Sequence, residues 1–237
     1  MEKLLWKPSK TRKKESLLDD FSKFINFKSN YNFKNLWKWS VDHPEEFWSS
    51  FWDYSKIIGD KGKEIIKYDK TFNKTKFFLD SKLNYAENIL KKRTSQIAIS
   101  FLSEKGFEEE ISWEQLFYKV CKFSYYLKSV GLKKGDRVAA YVPNKIESII
   151  SFLACAKNGV IWSSCSPDFG TQGVVDRFKQ IEPSILITSD HYFYNGNKIN
   201  ILEKIGNILK QIPSIKKTLV FSYNKQDEMD LQNYINF

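Results

Sequence analysis

The residue types able to do chemistry gather in one short stretch of the chain, GVIWSSCSPDFG from Gly159 to Gly170. An apolar, β-branched start running into Ser, Cys, Pro, Asp and Gly has the pattern of a strand that delivers a loop. Three chemistries compete for it. A nucleophilic Cys165 requires a base, normally histidine, within hydrogen-bond reach, and the chain has only His43 and His191. A small buried apolar role is the plainer reading of a lone cysteine at a strand end. The triplet Asp168-Phe169-Gly170 matches a kinase Mg²⁺-holding motif, but the Gly-rich loop, strand lysine and catalytic loop that must precede it are missing. The third reading is a ligand-facing turn at the carboxyl end of a parallel strand, and the flanking sequence decides for it.

Around this stretch short apolar runs alternate with amphipathic segments. RVAAYVP, VIWSSCS, SILITSD and KTLVF read as strands; NKIESIISFLACAKNG, TQGVVDRFKQI and ILEKIGNILKQI read as the helices between them. Such alternation is the mark of βαβ units and a parallel sheet. Ile146, Ile149, Ile150 and Leu153 are the expected buried stripe of the first crossover helix; Val174, Val175, Phe178 and Ile181 are that of the second. Upstream, QIAISF and GFEEEISW alternate in polarity across the turn-forming LSEKG and predict a β-hairpin. Ser112 with Gln115 forms a capping box for a helix that buries Leu116, Val120, Phe123 and Leu127 and stops at Gly131.

The first 80 residues differ in kind. Trp37, Trp39, Phe47, Trp48, Phe51 and Trp52 crowd together, and in DHPEEFWSSFWDYSKIIG Asp42 and Glu45 have capping-box spacing with proline in the first turn. Phe47, Trp48, Phe51 and Trp52 fall on one helical face, a packing stripe expected to dock this segment on a larger body. The reading is therefore α/β: a helical amino-terminal extension over 1–80, then a parallel-sheet domain over 81–237.

Composition excludes several classes. A 237-residue chain that is 42% hydrophobic can bury a sizeable core. The formal charge of +10 is lysine excess, with arginine only at Arg12, Arg93, Arg137 and Arg177. Base reading and phosphate forking favour arginine, so no nucleic-acid partner is expected; a basic nucleic-acid binder using the amino-terminal tryptophans is the least favoured alternative. Cys121, Cys155 and Cys165 are odd in number and lack metal-type spacing, so no disulfide framework and no metal site are expected and a cytoplasmic location fits. MEKLLWKPSK lacks the apolar run of a signal peptide. The most apolar segment, SIISFLACAKNGVIW, is interrupted before spanning length, so no membrane association is expected. Neither GxGxxG nor GxxxxGK[ST] occurs.

NYAENIL at Asn84–Leu90, GLKKGDRVAAYVPN at Gly131–Asn144, GVIWSSCSPDFG, and DRFKQIEPSILIT at Asp176–Thr188 together resemble the acyl-adenylate-forming CoA ligases of the AMP-binding superfamily. The combination of HPEEFW with WSSCSPDFG resembles the acetoacetyl-CoA synthetase branch; the acetyl-CoA branch has a histidine after Gly-x-Ile and Gly-Gly-Phe in the turn. The resemblance runs from Leu5 to about Phe221. It implies an acetoacetate:CoA ligase reaction using ATP, Mg²⁺ and CoA, through an acyl-adenylate and then a thioester. It also implies that Asp168-Phe169-Gly170 lines a CoA tunnel. Two arginines that meet the CoA nucleotide in the acetyl-CoA branch correspond to Tyr194 and Asn197, leaving Lys198 as the nearest cation. For Asp168 an Asx-type turn bonding its own backbone is an equal reading, and Trp162 is expected in the core.

The phosphate loop, Thr-Glu pair, ribose-binding Asp and terminal catalytic lysine of that family are absent from these 237 residues. No catalytic residue is therefore assigned. The chain is expected to be an amino-terminal fragment, inactive alone, with the carboxyl-terminal portion as a partner. A non-catalytic remnant or partner-binding scaffold is the alternative.

Overall fold

A computed structural model describes residues 5–27, 32–224 and 235–236; the first four residues of the amino-terminal stretch lie outside them. The chain divides into two compact units, 1–83 and 84–237.

The first unit opens with helices α1 (Lys10–Lys14), α2 (Leu17–Phe24), α3 (Phe33–Asp42) and α4 (Pro44–Tyr54). Four two-residue strands follow: β1 (Gly59–Asp60), β2 (Ile66–Lys67), β3 (Lys76–Phe77) and β4 (Lys82–Leu83). They pair antiparallel as β1 with β4 and β2 with β3. The α-helices of the extension thus end at Tyr54, and beyond them only a 3₁₀ turn at Phe72–Lys74 interrupts the short strands. The expected cap on α4 is corrected as well. His43 holds the N-cap position without a side-chain bond, because α3 continues through Asp42 and the Asp42 carboxylate pairs with Lys38 one turn back at 2.7 Å. The aromatic stripe packs edge to face: Phe47, Phe51 and Tyr54 surround the buried Phe21, and Trp48 meets Phe77 with ring centres 5.6 Å apart.

In the second unit α5 (Tyr85–Ile89) precedes an antiparallel hairpin of β5 (Ile97–Leu102) and β6 (Glu108–Ser112), then α6 (Trp113–Ser129). Ser112 and Gln115 close the capping box, and Gly131, at φ +91°, takes the left-handed conformation that ends the helix without a Cβ penalty. The series continues as β7 (Arg137–Tyr141), α7 (Ile146–Lys157), β8 (Ile161–Cys165), α8 (Thr171–Lys179), β9 (Ile185–Ser189), the hairpin β10 (His191–Tyr194) and β11 (Asn197–Asn200), α9 (Leu202–Gln211), β12 (Lys217–Phe221) and β13 (Ile235–Asn236).

Five strands form one parallel sheet in the order β13-β12-β9-β7-β8. Alternation along each strand divides the core into two layers. Val138, Ala140, Ile185 and Ile187 face a layer shared with α5, α6 and α7; Ala139, Tyr141 and Leu186 face one shared with α8 and α9. Two expectations are corrected at the β8 end. Ile149 is exposed, because α7 turns that edge of its stripe outward; Trp162 is only half-buried, because β8 is an edge strand.

Candidate functional site

β7 leaves the sheet through α7 on one face, whereas β9 leaves toward α9 on the other. Adjacent strands whose connections part in this way open a crevice at their carboxyl ends. A cleft of about 390 Å³ lies there, walled by Val142–Asn144 after β7, Ser164–Asp168 at the end of β8, and Tyr192–Tyr194 of β10. Ile149, Phe152 and Trp162 complete its apolar side.

The turn from Ser166 to Gly170 is held from beneath by Tyr141. Its hydroxyl, fully buried, lies 2.7 Å from the carbonyl oxygens of both Pro167 and Phe169. A single O–H donates to one of them at a time, so the clamp fixes the turn with two interchangeable bonds. Burial, with Tyr192 and Asp168 nearby, pushes the Tyr141 phenol up to about 12. Ser166 Oγ donates to Asp168 Oδ2 at 2.8 Å, and the Tyr192 hydroxyl bonds the same carboxylate. Burial first, and then the Asp168 bond, push the Tyr192 phenol up to about 12. Burial also raises the Cys165 thiol, although Arg177 pulls it down, so Cys165 is suited to walling the cleft and not to acting as a thiolate.

The four residues implied by the resemblance separate. Asp168 faces the cleft. Phe169 lies outside its lining, with the Arg177 guanidinium 4.8 Å over its ring, and Gly170 serves as N-cap of α8. Lys198 is on β11, opposite Phe193 and exposed. Of the pair standing where arginines were implied, Tyr194 lines the cleft and Asn197 is its cross-strand partner. Among the described residues no group of three or more His, Cys, Asp or Glu side chains is placed to hold a metal ion.

Several groups here escaped the sequence reading. The β10–β11 hairpin turns through Asn195 and Gly196, both at positive φ, and Asn-Gly between alternating residues is a signal that could have announced it. The turn's two amides donate to the Glu104 carboxylate, Asn195 to Oε1 at 3.2 Å and Gly196 to Oε2 at 3.1 Å. Paired amides of this kind are an anion cradle, and an internal carboxylate fills it. Lys145 is wholly buried: Nζ donates to the Tyr223 carbonyl at 2.8 Å, lies 3.6 Å from Glu109 and 3.7 Å from Glu147, and stands over the rings of Phe101, Phe107 and Tyr223. Nothing local in PNKIE distinguishes it from a surface lysine. Asp190 accepts from the amides of His191 and Tyr223 and pairs with the His191 ring at 3.0 Å. Burial alone raises its carboxyl, but the His191 side chain and those amides outweigh burial and hold it below the usual range.

Two family models match the chain: "AMP-binding enzyme" over residues 86–234 and "Acetyl-coenzyme A synthetase N-terminus" over 33–89. The chain belongs to the AMP-binding enzyme family. It is 33% identical to the acetoacetyl-CoA synthetase of Macaca fascicularis over 98% of this chain and 36% of that one. It is 36% identical to the Rhizobium meliloti (strain 1021) acetoacetyl-coenzyme A synthetase over 89% of this chain and 33% of the relative. The solved acetoacetyl-CoA synthetase from Streptomyces lividans superposes with a TM-score of 0.89 at 25% identity, covering 99% of this chain and 37% of that one. The chain therefore spans about a third of the length of the relatives it matches, at their amino-terminal end. Among the described residues no helix is long and apolar enough to cross a membrane.

Proposed function

We propose that this chain is the amino-terminal portion of an ATP-dependent acetoacetate:CoA ligase, with residues 1–80 as its extension and 81–237 as the first part of its adenylate-forming large domain. The observation that carries this reading is the cleft at the sheet's switch point, walled by the same Ser164–Asp168 turn that gives the sequence its likeness to acetoacetyl-CoA synthetases.

In this reading the cleft is one wall of a passage for the thiol-bearing arm of CoA. Val142, Ile149, Phe152 and Trp162 shed water around an extended chain, and the Tyr141 clamp keeps the facing turn from collapsing onto it. Asp168, oriented by Ser166 and Tyr192, keeps carboxylate lone pairs for a ligand N–H. Phe169, under Arg177, and Gly170, at the N-cap of α8, back the turn from outside the lining, and Lys198 lends charge from β11. Bound CoA supplies the nucleophilic thiol and ATP the adenylyl group. Among the described residues no group of His, Cys, Asp or Glu side chains is placed to hold Mg²⁺. We assign no catalytic residue to this chain and expect it to be inactive until joined by the polypeptide matching the rest of the relatives. We place it in the cytoplasm, where Cys121, Cys155 and Cys165 stay as thiols.

The test is acetoacetate-dependent release of pyrophosphate from ATP. The purified chain is expected to show none above background, and turnover by the chain alone would overturn the assignment of an incomplete site.

A further inference from the structure

Asp168 is the one lining residue of the cleft that carries charge at neutral pH, and no lysine or arginine stands among them. The polar groups beside Phe152 and Trp162, such as Asn144, Ser148 and Ser164, are neutral donors and acceptors. A wall of this composition suits an uncharged, amide-bearing arm and gives a phosphate no cation to pair with.

The rim has an anion seat, one residue beyond Tyr194. Asn195 and Gly196, at φ +48° and +77°, aim their amides at one place, and Glu104 lies in it, with Oε1 3.2 Å from the first amide and Oε2 3.1 Å from the second. Two amides converging on two oxygens is the geometry in which main chain holds a phosphate or a carboxylate. Glu104 comes from a distant turn that is itself pinned. Ser103 beside it is buried; its Oγ accepts from the Lys105 and Phe107 amides at 3.3 and 3.1 Å, and its main chain bonds Gly106 and Phe107. The occupant of the seat is therefore tethered, and a tethered group competes at an effective concentration on the order of millimolar. A free phosphate monoester must exceed that concentration to enter. Positive charge reaches the same hairpin from Lys105, with Nζ 5.8 Å from the centre of the Phe193 ring, and from Lys198, the cross-strand partner of Phe193. The Glu104 carboxylate offsets it.

We propose that Glu104 is the built-in occupant of this anion seat and thereby a specificity-determining residue: the site selects its thiol acceptor by the uncharged arm and excludes a terminal phosphate from the β10–β11 turn. The inference rests on the reading of the cleft as a passage for the thiol-bearing arm of CoA.

The test uses the full chain and its Glu104→Ala and Glu104→Gln variants. Inorganic phosphate is followed at the Asn195 and Gly196 amides by NMR, and pantetheine and phosphopantetheine are compared by calorimetry. In the unaltered chain millimolar phosphate is expected to leave both amides unshifted, and the two thiols to bind within about threefold of one another. Both variants are expected to open the amides to phosphate and to favour phosphopantetheine over pantetheine by at least about fivefold, with pantetheine itself unchanged. Unshifted β9 amides check the fold of each variant. Phosphate that already shifts the two amides of the unaltered chain overturns the proposal, as does phosphopantetheine bound more than about threefold tighter than pantetheine by that chain. A chain that binds neither thiol, with amides that respond to phosphate in the variants, keeps the filled seat and removes the reading of the cleft as a CoA passage. Pantetheine binding, with the amides of both variants silent to phosphate, does the reverse.

Discussion

Aromatic and charged side chains serve opposite ends in the two units. In the first, Trp48 and Phe51 remain partly in water while meeting their neighbours edge to face, and α4 has no fully buried residue. In the second, Tyr141 and Phe178 are removed from solvent, and Lys145 is enclosed by rings and two carboxylates. A half-exposed ring contributes mainly area, and its loss is softened by water. A buried polar group must have its partners, because nothing replaces them. The second unit should therefore be the more sensitive to single changes, and most sensitive where charge is buried.

The largest effect is expected at that point. Lys145→Met leaves Glu109 and Glu147 facing an apolar side chain, and breaking a buried pair from one side costs about 3–5 kcal/mol. Urea titration should show the second unit unfolding first in the variant; an unshifted midpoint would mean that the cage relaxes around its carboxylates.

Alkaline titration separates the units next. Tyr141 and Tyr192 have folded-state values near 12 against 10 for a free phenol. Folding holds these protons more tightly, so their stabilisation is fully present below pH 10 and drains away as pH rises from about 10 to about 12. At about 1.4 kcal/mol per unit, the loss is on the order of 3 kcal/mol per ring. Thermal melts between pH 9 and 12, followed with tyrosinate absorbance, should place the loss in the second unit; tyrosines ionising together near pH 10 with no loss of stability would dissolve the contrast.

A smaller effect is expected in the first unit. Trp48→Ala removes rings packed against Phe47 and Phe77 at the surface, for about 1 kcal/mol. Differential scanning calorimetry checks it, and a loss as large as that of Lys145→Met would mean that the first unit has a core as demanding as the second. Smallest is Glu104→Ala. Its exposed carboxylate contributes below about 1 kcal/mol globally, but the Asn195 and Gly196 amides should exchange several-fold faster in NMR, while β9 is unaffected. Unaltered exchange at both amides would remove the Glu104 latch from the account of the cleft's mouth.

Much of the fold was legible because its signals are local. Apart from the β10–β11 hairpin, the strand and helix series from Arg137 to Phe221 follows from period and punctuation, as do the Ser112–Gln115 box and the stop at Gly131. The cap at Asp42 was misread because a competing local partner, Lys38, lies on the preceding helix. The exposure of Ile149 and Trp162 could not be read because a sequence pattern marks an apolar face without saying whether the sheet continues beyond it.

The candidate site divides along the same line. The sequence by itself determined that the Ser166–Gly170 turn follows a strand of a parallel sheet, and it named the family, since turn residues and apolar alternation are properties of neighbours along the chain. Only the tertiary structure decided that Tyr141 clamps that turn, that Tyr192 bonds Asp168, that Glu104 fills the hairpin's amide cradle, and that Lys145 is buried. Those contacts join residues about 24 to 92 positions apart. Their chemistry depends on desolvation and on convergence from several elements, and neither quantity exists until the chain has folded.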